Sequence, residues 1–173
     1  IPTKALLKNA EIFHYIKNAA RYGINIPKYS IDFGTTIERS RKVANQMSKG
    51  IAFLMKKNKI THIKGEGRLI SQTTLEISND GSIEMIEANR IILATGGRPS
   101  AFPGMELDGE KIISFKEAMI LNKIPKKMVI IGSGALGVEF AYFFNEYGTE
   151  IHLIEMLPRI APAEDEDISK ELK

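Results

Sequence analysis

Three glycines and one acid in the second half of the chain have types and spacing that suit a phosphate-bearing ligand. Gly132, Gly134 and Gly137 follow an apolar run at the spacing G-x-G-x-x-G, and Glu155 follows the next apolar run. In a strand–turn–helix, the first glycine permits a tight turn, the second admits a pyrophosphate and the third allows close packing. An acid at the end of the second strand accepts hydrogen bonds from a ribose. The pattern therefore predicts a dinucleotide site.

The hydrophobic patterns of the segments around these residues predict the strands and helix that such a site requires. Residues 129–131 are a short β-branched run, typical of a strand buried on both faces of a parallel sheet. Residues 135–147 predict a helix whose unpaired N–H groups and positive dipole end face the phosphates, and Gly148 suits its end. Residues 151–154 predict the second strand, with Glu155 at its end. Together they predict one βαβ unit.

The charge of Glu155 favours one coenzyme over another. A ribose 2′-phosphate would meet this carboxylate as a like charge, so the acid favours NAD(H) over NADP(H). The alternative for the whole motif is a glycine-rich turn that serves only the packing of helix on strand.

Composition excludes several classes of site within these residues. The net charge of +3 comes from scattered Lys and Arg without interleaved aromatics, so no nucleic-acid partner is expected. No apolar run approaches the length of a membrane span, so no membrane association is expected. The chain has no cysteine, which leaves no disulfide and no thiolate metal site, and no other metal-ligand spacing stands out.

The first part of the chain combines helices and strands, so the expected fold class is α/β. Apolar residues at helical spacing predict helices over residues 4–22 and 35–58, and Ser114 with Glu117 predicts a capping box on a short helix. Strand-like runs lie between these helices, two of them around a hairpin turn at residues 79–82. They are residues 60–64, 68–70, 73–78, 83–88 and an apolar run within 90–99.

A boundary is predicted near Asn122, because Pro125 interrupts the chain just before the glycine-rich unit. This gives a first domain of residues 1–122 and a second, incomplete domain of residues 123–173. The chain opens on Ile1 without an initiator Met, and only one βαβ unit of the second domain is complete. We therefore expect an internal piece of a longer polypeptide.

Three motifs in order give the chain a family resemblance over essentially its whole length. They are Ile-Pro-Thr-Lys-Ala-Leu-Leu at residues 1–7, Ile-Ile-Leu-Ala-Thr-Gly-Gly-Arg-Pro at 91–99, and Ile-Gly-Ser-Gly-Ala-Leu-Gly-Val-Glu at 131–139. With them the sequence resembles the FAD-dependent pyridine nucleotide-disulfide oxidoreductases. In that family the first motif directly follows the second cysteine of a Cys-x4-Cys redox pair. The resemblance therefore implies that residues 1–122 are part of an FAD-binding domain and that 123–173 begin a Rossmann-like NAD-binding domain.

The resemblance also implies roles for single residues. Lys4 would lie near the flavin ring and pair with Glu139, setting charge beside the reacting flavin nitrogen. Gly67 would offer its backbone to the adenine end of FAD, and Thr95, Gly96 and Gly97 would lie where the chain passes the FAD. The residues implied to hold NAD are Gly132, Ser133, Gly134, Ala135, Leu136, Gly137, Val138, Glu139 and Glu155.

The activity implied is that of family members that oxidise dihydrolipoamide. Electrons would pass from dihydrolipoamide, on the lipoyl domain of a 2-oxoacid dehydrogenase complex, through the disulfide and FAD to NAD+. The full-length protein would be a homodimer of the bacterial cytoplasm or the mitochondrial matrix. The redox cysteines lie outside these residues, so the fragment itself is expected to be inactive and no residue here is assigned a catalytic role.

Two alternatives remain open. A soluble pyridine nucleotide transhydrogenase resembles the chain in the same motifs but has no cysteine immediately before Ile-Pro. A non-catalytic nucleotide-binding module is the second alternative. Family members that prefer NADPH, such as glutathione- and mercuric-reductase-like proteins, are disfavoured by Glu155.

Overall fold

The computed structural model describes residues 2–172, so Ile1 of the first family motif and Lys173 lie outside the described residues. The predicted α/β class is confirmed. Residues pack into two compact units, Ile1–Met47 with Ala101–Lys173, and Ser48–Ser100. The elements in chain order are α1 (Pro2–Lys17), a 3₁₀ turn (Ala19–Tyr22), α2 (Phe33–Lys57), β1 (Glu66–Leu69), β2 (Thr74–Asn79), β3 (Ser82–Glu87), α3 (Phe115–Ala118), β4 (Lys127–Ile131), α4 (Ala135–Glu146), β5 (Glu150–Ile154) and α5 (Glu166–Glu171).

The predicted βαβ unit is present in the first compact unit. Strands β4 and β5 are parallel, in a register that runs from Lys127 opposite Glu150 to Ile131 opposite Ile154. Helix α4 connects them and contacts both strands. Because parallel neighbours end at the same edge of a sheet, the turn after β4 and the residue after β5 are brought together.

Helix α4 lies over the main core because its aromatic residues recur at helical spacing. Phe140, Phe143, Phe144 and Tyr147 share one face, and Phe143 and Phe144 are fully buried with ring centroids 5.0 Å apart. The Tyr147 hydroxyl lies 3.2 Å from the Thr36 hydroxyl, which satisfies both groups inside the core. The residues from α1 and α2 that complete this core are Leu6, Ala10, Phe33 and Ile37.

The second compact unit contains an antiparallel three-stranded sheet, in the order β1-β2-β3. The predicted hairpin between β2 and β3 is confirmed. Its two central residues, Asp80 and Gly81, have φ of 46° and 83°, the left-handed geometry that two-residue hairpins favour.

Two predicted strands are wrong. Residues 60–64 and the apolar run at 91–94 form no strand in the part of the chain that the structure describes. A strand needs a neighbouring strand to pair its backbone N–H and C=O groups, and residues 91–94 have no such neighbour among the described residues. The side chains of this run are also not buried, since Ile92 is 90% exposed and Leu93 is 69% exposed. Apolar composition predicted a buried strand without revealing which strand would pair with it.

Boundaries of the predicted helices shift by a few residues. The helix predicted over residues 4–22 ends at Lys17, and Gly23, with φ of 71°, closes the 3₁₀ turn that follows. The capping box is confirmed, because the Glu117 carboxylate accepts from the Ser114 backbone N–H and the Ser114 hydroxyl accepts from the N–H of Lys116. None of the helices between residues 2 and 172 is both long and apolar enough to cross a membrane.

Candidate dinucleotide site

The turn after β4 depends on the first glycine of the motif. Gly132 has φ of 98°, a left-handed conformation that residues with a side chain rarely adopt. Its N–H donates to the carbonyl of Ile154 at 2.8 Å, which ties the turn to the end of β5. The predicted tight turn at Gly132 is therefore present.

The third glycine allows α4 to approach this turn. A β-carbon on Gly137 would stand 2.0 Å from the carbonyl oxygen of Gly132 and 3.1 Å from its carbonyl carbon. The clash would be with backbone, which cannot rotate away as a side chain does. The predicted role of Gly137 in close packing is met.

The second glycine faces open space. Gly134 is the N-cap of α4, and a β-carbon built on it would meet no atom within 4 Å. No side chain caps this helix, and the first N–H groups of an α-helix have no partner within it. The start of α4, with Ala135, Leu136 and Val138 in its first turn, therefore offers donors and room for an anion.

Glu155 lies beside this turn and is held by three hydrogen bonds. Its Oε2 accepts from the N–H of Ser133 at 2.8 Å and from the Ser133 hydroxyl at 2.7 Å, and its Oε1 accepts from the N–H of Leu157 at 2.9 Å. These hydrogen bonds lower the pKa of the Glu155 carboxyl to about 2. The largest effect comes from the Leu157 N–H, followed by the N–H and the hydroxyl of Ser133. The carboxylate is therefore charged at neutral pH.

The contact between Ser133 and Glu155 was not found from the sequence. The glycine-rich motif predicts Ser133 only as one of its members, yet the residue is fully buried. Nothing in the spacing indicates a side-chain bond between residues on two different turns. A serine between the first two glycines, with an acid after the second strand, is the signal that could have indicated it.

The segment after Glu155 folds back onto the glycine turn. The N–H of Ala161 donates to the Ser133 carbonyl at 3.0 Å and lies 3.3 Å from the Ser133 hydroxyl. This segment and α5 enclose a cleft of about 500 Å³ that opens beside Glu155. Leu153 and Leu157 give the cleft apolar walls, and Arg159 and Lys170 also line it.

The ion pair that the resemblance implies is also present. The Lys4 ammonium of α1 donates to Oε1 of Glu139 in the first half of α4. The Lys4 side chain is 72% exposed and that of Glu139 is 20% exposed. A residue near the start of the chain is thereby joined to the end of the glycine motif.

The remaining predicted site residues lie in the second compact unit. Gly67 is in β1 opposite Ile77. Thr95, Gly96 and Gly97 are exposed and outside any helix or strand, and Gly96 has φ of 74°. Their roles toward FAD stay predictions.

Two histidines lie within hydrogen-bonding distance of carboxylates. His14 Nδ1 lies 2.8 Å from Glu146, which also accepts from Lys17 at 3.0 Å. His152 Nε2 lies 2.8 Å from Glu150. Among the described residues, no group of three or more His, Cys, Asp or Glu side chains is arranged to hold a metal ion.

Comparison with known proteins identifies related sequences. The family model described as pyridine nucleotide-disulphide oxidoreductase matches residues 1–173. A dihydrolipoyl dehydrogenase of Chlorobaculum tepidum is 43% identical over 174 residues, which cover all of this chain and 37% of that protein. The dihydrolipoyl dehydrogenase of Bacillus subtilis is 38% identical over 172 residues, covering 98% of this chain and 38% of that protein. The chain thus spans well under half the length of these relatives.

The fold is also found in a solved structure. The crystal structure of LpdA from Mycobacterium tuberculosis superposes with a TM-score of 0.89 at 24% identity, over 99% of this chain and 38% of that one. At this identity the match shows the fold alone.

Proposed function

This chain belongs to the pyridine nucleotide-disulphide oxidoreductase family, and we propose that it is part of a dihydrolipoyl dehydrogenase. The observation that carries this proposal is the Glu155 carboxylate, fixed beside the Gly132 turn at the shared edge of β4 and β5. Strand ends at such an edge are where open α/β sheets bind nucleotides.

The residues at this edge fit NAD. The open space over Gly134 and the free N–H groups at the start of α4 suit a diphosphate, and Glu155 suits the hydroxyls of a ribose. The apolar walls of the adjoining cleft suit a flat base. NAD supplies a ring that accepts a hydride. The chain's part is to bind and orient the coenzyme and to repel a 2′-phosphate.

Lys4 and Glu139 would serve the flavin. The chain brings a cation and a carboxylate together where α1 meets α4. Charges beside a flavin ring tune its electronics, and this pair would set the charge beside the reacting nitrogen. Gly67, Thr95, Gly96 and Gly97 would provide close backbone approach to the FAD.

The relatives' activity supplies the rest of the proposal. The full-length protein would oxidise dihydrolipoamide on the lipoyl domain of a 2-oxoacid dehydrogenase complex and reduce NAD+, as a homodimer. Its compartment would be the bacterial cytoplasm or the mitochondrial matrix.

The experiment is a purification and assay of the full-length protein. We expect a yellow protein that forms NADH from dihydrolipoamide and NAD+. A colourless protein that binds NAD without turnover would replace the proposal with a nucleotide-binding module. A yellow protein that exchanges hydride between NADPH and NAD+ but does not oxidise dihydrolipoamide would be a transhydrogenase.

A further inference from the structure

We propose that Ser133 is a specificity-determining residue of the nucleotide site, whose hydroxyl locks the Glu155 carboxylate in place and thereby excludes a ribose 2′-phosphate. The inference rests on the proposed function and concerns a positioning role, since Ser133 would act through Glu155.

Three hydrogen bonds fix the Glu155 carboxylate in place. Glu155 extends from the end of β5, and the donors to its Oε2 come from the turn after β4. The shortest of its three hydrogen bonds comes from the Ser133 hydroxyl, at 2.7 Å. Hydrogen bonds to a charged acceptor are stronger than neutral ones. To move away from an incoming phosphate, the carboxylate must break all three bonds.

Ser133 is itself held in place by its neighbours. It is fully buried, and its carbonyl and hydroxyl both face the N–H of Ala161. The hydroxyl can accept from Ala161 while it donates to Glu155, so its two roles support one orientation. A buried donor held in this way cannot follow the carboxylate if Glu155 swings out.

The two cations that line the cleft beside Glu155 have partners other than this carboxylate. Arg159 Nη2 donates to the carbonyl oxygens of Pro162 and Glu164, at 3.2 and 3.0 Å. The Lys170 ammonium lies 3.2 Å from Glu166 and 3.6 Å from Asp167. Both cations thus have partners within their own segment, and the donors to the Glu155 carboxylate are Ser133 and Leu157. Discrimination between NAD+ and NADP+ then depends on how firmly the Glu155 carboxylate is held.

The test is the selectivity of the full-length protein for NAD+ over NADP+, measured as the ratio of the two kcat/KM values. Ser133→Ala keeps the backbone donor and removes only the hydroxyl. We expect the ratio to fall about tenfold, the effect of one lost charge-assisted hydrogen bond. The fall in the ratio should include a lower KM for NADP+, because the released carboxylate can move away from the 2′-phosphate.

Ser40→Ala is the matched control. Ser40 is also fully buried, and its hydroxyl donates to the carbonyl of Ile37, without contact with Glu155. This variant should keep the parent ratio. Ser133→Cys keeps a donor at the same position, although a weaker and larger one, so it should move the ratio in the same direction as Ser133→Ala even if the alanine variant fails to fold.

The outcomes separate the two proposals. An active parent enzyme whose selectivity is unchanged in both Ser133 variants would overturn the role of Ser133 alone. So would a fall in NAD+ use with no gain in NADP+ use, because Ser133 would then support binding without excluding the phosphate. A full-length parent that reduces neither coenzyme would overturn the proposed function itself.

Discussion

The carbonyl oxygen of Gly132 lies 2.0 Å from the point where a β-carbon on Gly137 would stand. Two glycines of one motif are thus pressed together, while the glycine between them, Gly134, faces open space. The motif therefore has two separable functions, because one contact holds the helix on the strand and the other position leaves room for a ligand.

Gly137→Ala should destabilise the protein. The added methyl meets backbone atoms, so α4 must shift away from β4 and β5. Overpacking of this kind costs about 1–3 kcal/mol. Urea unfolding of the full-length protein, followed by far-UV circular dichroism, measures the loss. An unchanged midpoint would show that the helix has more freedom than this packing allows.

Gly134→Ala should weaken NADH binding and leave the stability of the protein nearly unchanged. Its φ of −66° suits alanine and its β-carbon meets nothing, so the free energy of unfolding should change by less than about 1 kcal/mol. NADH affinity should fall about tenfold or more, because the methyl occupies the space proposed for the pyrophosphate. Fluorescence titration with NADH checks this, and a weaker fold with normal affinity would contradict it.

The parts of this fold that the sequence predicted are those governed by local rules. The glycine spacing, the turn at Asp80 and Gly81, and the Ser114 capping box depend on residues a few positions apart. The prediction of a strand at residues 91–94 was wrong, because strand pairing depends on a second strand that is distant in the sequence. The contact of Ser133 with Glu155 was missed because it joins two turns, and the pairing of Lys4 with Glu139 was predicted only through the family resemblance.

Glu146→Gln should remove a pH-dependent part of the stability. Burial raises the pKa of the Glu146 carboxyl, but hydrogen bonds from His14 and Lys17 outweigh it, so the folded pKa lies below its ordinary 4.5. A depressed folded pKa stabilises the protein above about pH 4.5, and this contribution is lost as pH falls through the folded value. The variant should therefore be less stable at neutral pH and approach the parent in acid.

Glu150→Gln is the control for that comparison. Glu150 also pairs with a lysine and a histidine, Lys127 and His152, but its side chain is 57% exposed against 10% for Glu146. Solvent screens exposed pairs, so its stability loss should be the smaller one. Thermal melts of both variants across the acid range measure the difference, and equal losses would contradict the role assigned to burial.

Glu139→Gln should affect the flavin more than the fold. The partner ammonium of Lys4 is largely exposed, and exposed ion pairs contribute about 0–1 kcal/mol. We expect a melting temperature close to that of the parent and an altered flavin absorbance spectrum in the reduced enzyme. A parent-like spectrum through a full reductive titration would place this pair away from the flavin.

The most direct test of the account is the KM for NAD+ of the full-length enzyme with Glu155→Ala. The carboxylate is held at the turn that would bind the coenzyme, so its loss should raise this KM about tenfold while flavin content stays constant. An unchanged KM for NAD+ in a folded, flavin-loaded variant would contradict the assignment of this edge of the sheet as the NAD site.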